Sequence, residues 1–77
     1  TMLHDYVSVN PGVTISGICT IGERTTIGAG ATIVDRIKIG RDTIIGAGSV
    51  VTKDIPDGVI AYGSPAKVIR DNILKSN

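Results

Sequence analysis

Residues 25–34 read TTIGAGATIV and residues 43–52 read TIIGAGSVVT, so an Ile-Gly-Ala-Gly string that begins at Ile27 returns eighteen residues later at Ile45. Working outward from Ile27 in steps of six, the same slot holds Leu3, Val9, Ile15, Ile21, Ile27, Ile33, Ile39, Ile45 and Val51, all aliphatic. The next slot is Gly at 22, 28, 40 and 46, and the fifth slot is mostly small: Val7, Val13, Cys19, Thr25, Ala31, Ile37, Thr43 and Ser49. A helix cannot produce this row, because six residues at 3.6 per turn rotate it by well over half a turn each time. A single strand would have to run about fifty residues, against a usual length of 3–10. A coil of short strands joined by tight corners satisfies the period, with one inward aliphatic side chain per unit and Gly where a corner needs unusual dihedrals. Three units close a triangular coil, so the vertical repeat is eighteen residues. The expected columns are Leu3, Ile21, Ile39, then Val9, Ile27, Ile45, then Ile15, Ile33, Val51, each a ladder of a parallel sheet.

Composition narrows the function classes. The 77 residues carry eight Lys or Arg against seven Asp or Glu, a net charge of +1, with no basic run to track a nucleic acid backbone. No apolar stretch approaches the roughly 20 residues of a membrane-spanning helix, and the start has no signal-peptide pattern, so a soluble chain is expected. One cysteine, Cys19, excludes an internal disulfide and fits a reducing, cytoplasmic setting. Nine aliphatic side chains cannot by themselves offset the entropy of ordering three coils, so association between chains is expected. An uncovered strand edge at Thr1 is a liability for a parallel sheet, and further residues upstream are expected to cover it.

After the repeat, DIPDG (54–58) is a turn cluster and VIAYG (59–63) reads as one more strand. From Pro65, PAKVIRDNILKS reads as a short helix with Ser64 as its cap and Ala66, Ile69 and Ile73 on one face. Val68, Ile69 and Ile73 are then expected to plug the lower end of the core. The organisation is one domain, with a hexapeptide-repeat β-helix over 1–54 and a turn, strand and helix over 55–77.

The repeat together with VVTKDIPDGVIAYGSPAKVIR (50–70) resembles the hexapeptide-repeat acyltransferases, in which a Gly-x-Pro-Ala-Lys stretch follows the coil. Within that superfamily, VSVNPGVTISG, IGAGATI and VVTKDIP most resemble the sialic-acid and bacillosamine-type sugar acetyltransferases of the NeuD/PglD group. The resemblance implies an all-β fold, a left-handed parallel β-helix of about three coils with a short C-terminal strand and α-helix. General sheet physics favours right-handed crossovers, so the hand comes from the resemblance alone. It further implies a homotrimer, acetyl-CoA as co-substrate in a groove between protomers, and transfer of acetyl to an amine or hydroxyl of a sugar or nucleotide sugar. In such relatives an N-terminal nucleotide-sugar-binding domain and more coils come first.

Acetyl transfer needs a base near neutral pH, and His4 is the one histidine. With Asp5 it resembles the catalytic His-acid pair of that group. His4 stands in the second slot, where Gly is usual, whereas relatives carry the catalytic histidine in the third slot of the coil before the VSVNPG-like segment. Two readings therefore stand: His4 as base, or a corner histidine with the base upstream. For the acyl donor, the resemblance places Gly17, Ala29 and Ala47 at a small-residue corner whose amides would bond the acetyl oxygen or pantetheine carbonyls. Ser8 falls where some relatives carry a second histidine. Lys53 and Lys67 would meet the phosphates or adenine end of CoA, and Pro65 and Ala66 would wall the adenine. Two other classes remain on the residues. One is a trimerising structural module without its own base. The other is a metal site of the γ-carbonic-anhydrase type, which needs three imidazoles where the chain has one, so no metal is expected.

Overall fold

Each hexad does the same thing locally: one residue faces out, the next aliphatic faces in, and four residues turn the corner. The structure is a computed structural model and describes residues 2–72. Nine two-residue strands follow the period. Face A consists of β1 (Met2–Leu3), β4 (Thr20–Ile21) and β7 (Lys38–Ile39), and face C of β3 (Thr14–Ile15), β6 (Thr32–Ile33) and β9 (Val50–Val51). Face B stacks β2 (Ser8–Val9), β5 (Thr26–Ile27) and β8 (Ile44–Ile45), then continues into β10 (Val59–Gly63) and β11 (Ala66–Asp71).

All pairs within the coil are parallel, and the register is the expected one. Leu3 lies over Ile21 and Ile39, Val9 over Ile27 and Ile45, and Ile15 over Ile33 and Val51. From Ile21 to Val51 the six column residues are at most 1 % exposed. Leu3 and Val9, in the first described coil, are 49 % and 43 % exposed. The fifth slot also faces inward: Cys19, Thr25, Ala31, Ile37, Thr43 and Ser49 are all buried. Small residues fit there because a corner brings two faces together. Their polar atoms are satisfied locally, with the Thr43 hydroxyl donating to the carbonyl of Pro56 at 2.9 Å and that of Thr25 to the carbonyl of Gly40 at 2.6 Å.

The glycines divide by cause. In the second slot, at Gly22, Gly28, Gly40 and Gly46, φ is not positive; a Cβ there would run into the next storey, as at Gly28, where it would meet the Ala47 nitrogen at 2.5 Å. The reason is close approach of coils rather than unusual dihedrals. Left-handed φ falls mainly in the fourth slot instead, in Gly12, Gly30 and Gly48 at one corner, in Tyr6, Arg24 and Asp42 at another and in Arg36 at the remaining one, where Gly17 shows it in the third slot.

The period ends where Ile55, not residue 57, pairs with Ile39, which shortens that corner by two residues. Asp57 and Gly58 then form the turn read from DIPDG, and β10 pairs in parallel with β8 as the strand expected over 59–63.

The expected helix from Pro65 is not formed in the described residues. Residues 66–71 are β11, antiparallel to β10, and the Ser64–Pro65 peptide of the connecting turn is cis. The β-branched pair Val68-Ile69 favours a strand, and pairing satisfies the open edge of β10, which a helix would have left bare. Ile73 lies outside the described residues. Val68 and Ile69 do not plug the core either, being 48 % and 49 % exposed. Ile55, Val59 and Ala61 close the lower end instead, with Ala66 packed against them.

Candidate functional site

The three corners of the prism differ in how their backbone amides are satisfied. At corner CA, after face C, the Ile18 amide donates to Asp35 Oδ1 at 3.0 Å, and just beyond it the Lys38 amide donates to Asp54 Oδ1 at 2.9 Å. At corner AB the Arg41 amide donates to Asp57 Oδ1 at 2.9 Å. There Arg24 also grips Asp42 with two hydrogen bonds, Nε to Oδ1 at 2.7 Å and Nη2 to Oδ2 at 3.0 Å. The Asn72 side chain donates to the carbonyl of Asp42 at 2.9 Å, which ties the end of β11 to this corner. The hydrogen bond to Asp42 raises the Arg24 pKa above its ordinary value despite partial desolvation, so the pair is a fixed strut. Arg24 and Asp42 are eighteen residues apart and opposite in charge, so the period alone brings them together.

Among the described residues corner BC has no such carboxylate caps. It stacks Asn10-Pro11-Gly12 over Gly28-Ala29-Gly30 over Gly46-Ala47-Gly48. Gly30 N donates to the carbonyl of Pro11 at 3.0 Å and Gly48 N to that of Ala29 at 2.9 Å, which sets the spacing of the storeys. The amides of Ala29 and Ala47 donate to nothing among the described residues, and both residues are exposed. No side chain larger than a methyl stands at 28–30 or 46–48, and a Cβ at Gly30 or Gly48 would meet nothing within 4 Å. Two bare N–H groups one storey apart, about 4.7–4.9 Å, on a surface cleared of side chains, suit an extended ligand bearing carbonyl oxygens.

The residues singled out in the sequence divide among the corners. Ala29 and Ala47 share corner BC, and the turn from β10 to β11 that carries Pro65, Ala66 and Lys67 leaves from the same corner, where Gly63 N donates to Ser49 Oγ at 3.2 Å. Gly17 does not join them. It lies at corner CA above Asp35, because residues six apart occupy successive corners, so Gly17 and Ala29, twelve apart, lie two corners apart along the chain, and only residues eighteen apart stack; Asp35 fills the space a Cβ at Gly17 would take. Lys53 is also at corner CA. Ser8 faces outward on β2, in register with Thr26. His4 and Asp5 lie at corner AB, where the His4 amide donates to the carbonyl of Ile21 and the Asp5 carbonyl accepts from the Arg24 amide, each at 3.1 Å; their side chains make no hydrogen bond or ion pair with each other or with any described residue. His4 lines a groove of about 310 Å³ together with Glu23, Lys38, Arg41 and Asp57. That concavity lies away from corner BC, which is convex in a single chain and becomes a cleft only when a second surface is laid against it. Among the described residues no three His, Cys, Asp or Glu side chains cluster to hold a metal. No helix there is long and apolar enough to cross a membrane.

Sequence reasoning missed the carboxylate caps of the other two corners; bare amides remain there too, at Glu23, Asp35 and Lys53, and what sets corner BC apart is that no large side chain stands around its pair. The signal of the caps was present as Asp35, Asp54 and Asp57 near corners, but which amide each reaches depends on side-chain geometry.

Residues 18–53 match the family described as bacterial transferase hexapeptide (six repeats). The chain is 46 % identical to 2,3,4,5-tetrahydropyridine-2,6-dicarboxylate N-acetyltransferase from Clostridium botulinum, covering 83 % of this chain and 30 % of that one. It superposes with a TM-score of 0.87 and 42 % identity on a mutant of perosamine N-acetyltransferase from Caulobacter crescentus in complex with CoA and GDP-perosamine, over 90 % of this chain and 33 % of that one. The acetyltransferase domain of PglB from Neisseria gonorrhoeae in complex with acetyl coenzyme A gives a TM-score of 0.86 and 40 % identity, over 87 % and 33 %. The chain thus spans about a third of the length of these relatives. A coil of the opposite hand would not superpose in this way, so the β-helix is left-handed, as the resemblance implied. With its hexad period, its triangular coil and these matches, the chain belongs to the hexapeptide-repeat, left-handed β-helix acyltransferase superfamily.

Proposed function

We propose that this chain is the acyl-donor-binding β-helix of an acetyl-CoA-dependent acetyltransferase, acting in the cytoplasm on a sugar or nucleotide-sugar acceptor. The observation that carries the reading is the pair of unpartnered amides at Ala29 and Ala47 on a corner stripped of side chains. Support comes from the likeness to an enzyme crystallised with CoA and a nucleotide sugar. The two N-acetyltransferases among the relatives favour an amine acceptor.

In the reaction the acceptor nitrogen forms a bond to the thioester carbonyl carbon, the carbon–sulfur bond breaks, and the amine proton passes to a base while the thiolate leaves. The Ala29 and Ala47 amides hold carbonyl oxygens of the extended donor and so fix where its thioester lies. Lys67 beside them offers a cation to the donor's phosphates, with Pro65 and Ala66 as apolar wall. The convexity of corner BC supports the expected homotrimer, in which a neighbouring protomer supplies the second wall; Gly17, Lys53 and Ser8, which lie elsewhere on this chain, would then contribute across that boundary.

Calorimetric titration of the chain with acetyl-CoA, beside sedimentation to fix its oligomeric state, tests the proposal. Saturable binding to a trimer is expected. A folded trimer that does not bind would favour a purely structural module. For the base, the lack of a hydrogen bond or ion pair between the His4 and Asp5 side chains favours a corner role for His4. His4→Ala separates the two readings: as base, its loss lowers transfer by about 10²–10⁴-fold, and as a corner residue its loss leaves the rate unchanged.

A further inference from the structure

We infer that the side-chain oxygen of Asn10 selects an amine over a hydroxyl acceptor by holding the N–H that stays on the attacking nitrogen; the inference rests on the acyl-donor reading above. The column Asn10, Gly28, Gly46 carries a side chain at Asn10 and none on the two storeys below. That side chain is pinned. Asn10 Nδ2 donates to the carbonyl of Ile27 at 2.9 Å, beside the Asn10 backbone amide, which donates to the same carbonyl at 3.1 Å. The bond orients the side-chain amide, and its acceptor, Oδ1, has no hydrogen-bond partner among the described residues. Asn10 is exposed, so that acceptor is open to a ligand.

Its neighbour is the upper end of the bare-amide row. Pro11 stacks over Ala29 and Ala29 over Ala47, and proline has no N–H, so the row that begins at Ala47 stops at Ala29. Side chains in the slot of Asn10 lean toward the third slot of the next storey. A Cβ at Gly28 would approach the Ala47 nitrogen, and the same repeat turns Asn10 toward Ala29. A donor whose nucleotide end lies at the foot of the corner, by Lys67, brings its thioester carbonyl to the Ala29 amide and thus beside Asn10. The amide then holds the carbonyl oxygen, on which negative charge develops as nitrogen attacks. A neutral amine has two N–H groups. One proton passes to the base as the nitrogen–carbon bond forms and the thiolate leaves with the electrons of the carbon–sulfur bond; the other stays on nitrogen and donates to Oδ1. A hydroxyl has a single O–H, which the base consumes, so only lone pairs face Oδ1. Amine attack gains a hydrogen bond at Asn10 where hydroxyl attack meets repulsion.

Two adducts of CoA read this preference without turnover. In one a methylene joins the sulfur to the carbonyl of an N-methyl amide, and in the other to that of a methyl ester. Both offer a carbonyl to Ala29, but only the amide carries an N–H. Calorimetry gives the affinities of both adducts and of acetyl-CoA for wild type, for Asn10→Gly, which installs the residue of the storeys below, and for Asn10→Leu, which keeps bulk without an acceptor. Wild type is expected to prefer the amide adduct, and either variant to lose about 2- to 12-fold of that preference, the scale of one neutral hydrogen bond. Each preference is a ratio within one chain, so a purely structural role of Asn10 would leave it unmoved. Wild type that fails to bind acetyl-CoA overturns the donor reading and this inference with it. Acetyl-CoA binding with the same preference in wild type and variants overturns the inference alone. So does an equal loss for acetyl-CoA and both adducts, which would put Oδ1 on the donor's own amides.

Discussion

Gly28 and Gly30 stand two residues apart on one corner, yet the structure gives them different reasons to be glycine, and replacing each with alanine separates the reasons. At Gly30, φ is +72° and the space around a Cβ is open. The cost is the left-handed backbone of an L-residue, about 1–2 kcal/mol, offset by about 0.4–1 kcal/mol from a less free unfolded chain. A net loss of about 1 kcal/mol follows, or about 4–8 °C in melting temperature for a domain of this size. At Gly28 the backbone is not left-handed, but the new methyl would meet the Ala47 nitrogen at 2.5 Å and its Cα at 2.8 Å. Those are backbone atoms of the next storey and cannot rotate away, so the upper end of the overpacking range applies, about 3 kcal/mol. After the same offset about 2 kcal/mol is lost, a fall of about 8–16 °C. Asparagine, which tolerates left-handed backbone, should rescue position 30 and not position 28. Thermal unfolding at one fixed protein concentration measures all four variants. If Gly28→Ala melts at or above Gly30→Ala, the close-approach explanation of the second-slot glycines is wrong.

Further outcomes follow from the same geometry. Ile33→Ala, at a fully buried rung between Ile15 and Val51, should cost about 2–5 kcal/mol in denaturant unfolding, whereas Leu3→Ala, half exposed at the open end, should cost clearly less. Ala47→Trp adds bulk to the exposed bare corner without touching the core; acetyl-CoA affinity in calorimetry should fall at least about ten-fold while stability stays within about 0.5 kcal/mol of wild type. Asp42→Ala should lower the melting temperature more than Asp42→Asn, because both lose the Arg24 strut but Asn accepts a φ of 53°. The raised Arg24 pKa means that the arginine's side of this strut is fully present below the ordinary arginine value and is lost only as pH rises through the raised folded one. The melting-temperature gap between wild type and Arg24→Gln should thus stay constant between about pH 6 and 10.

Much of this molecule is local repetition, and repetition is legible in a sequence. Aliphatic residues every sixth position from Leu3 to Val51 dictated the coil, its storeys and the register of Ile21, Ile27 and Ile33 with their partners below, because only a three-sided tube lets that row meet itself. The same arithmetic places Ala29 over Ala47 and Arg24 over Asp42. Tertiary structure decided what depended on a partner outside the local unit. Residues 66–71 carry a pattern compatible with a helix, and they became a strand because β10 offered an open edge to pair with. Gly17 and Ala29 look alike in a string of letters, yet Asp35 occupies the space beside Gly17, while the space beside Gly30, next to Ala29, is open. Which amides are capped by a carboxylate is likewise settled by where Asp35, Asp54 and Asp57 reach, since a hydrogen bond is won by the nearest acceptor in space and not by the nearest in the chain.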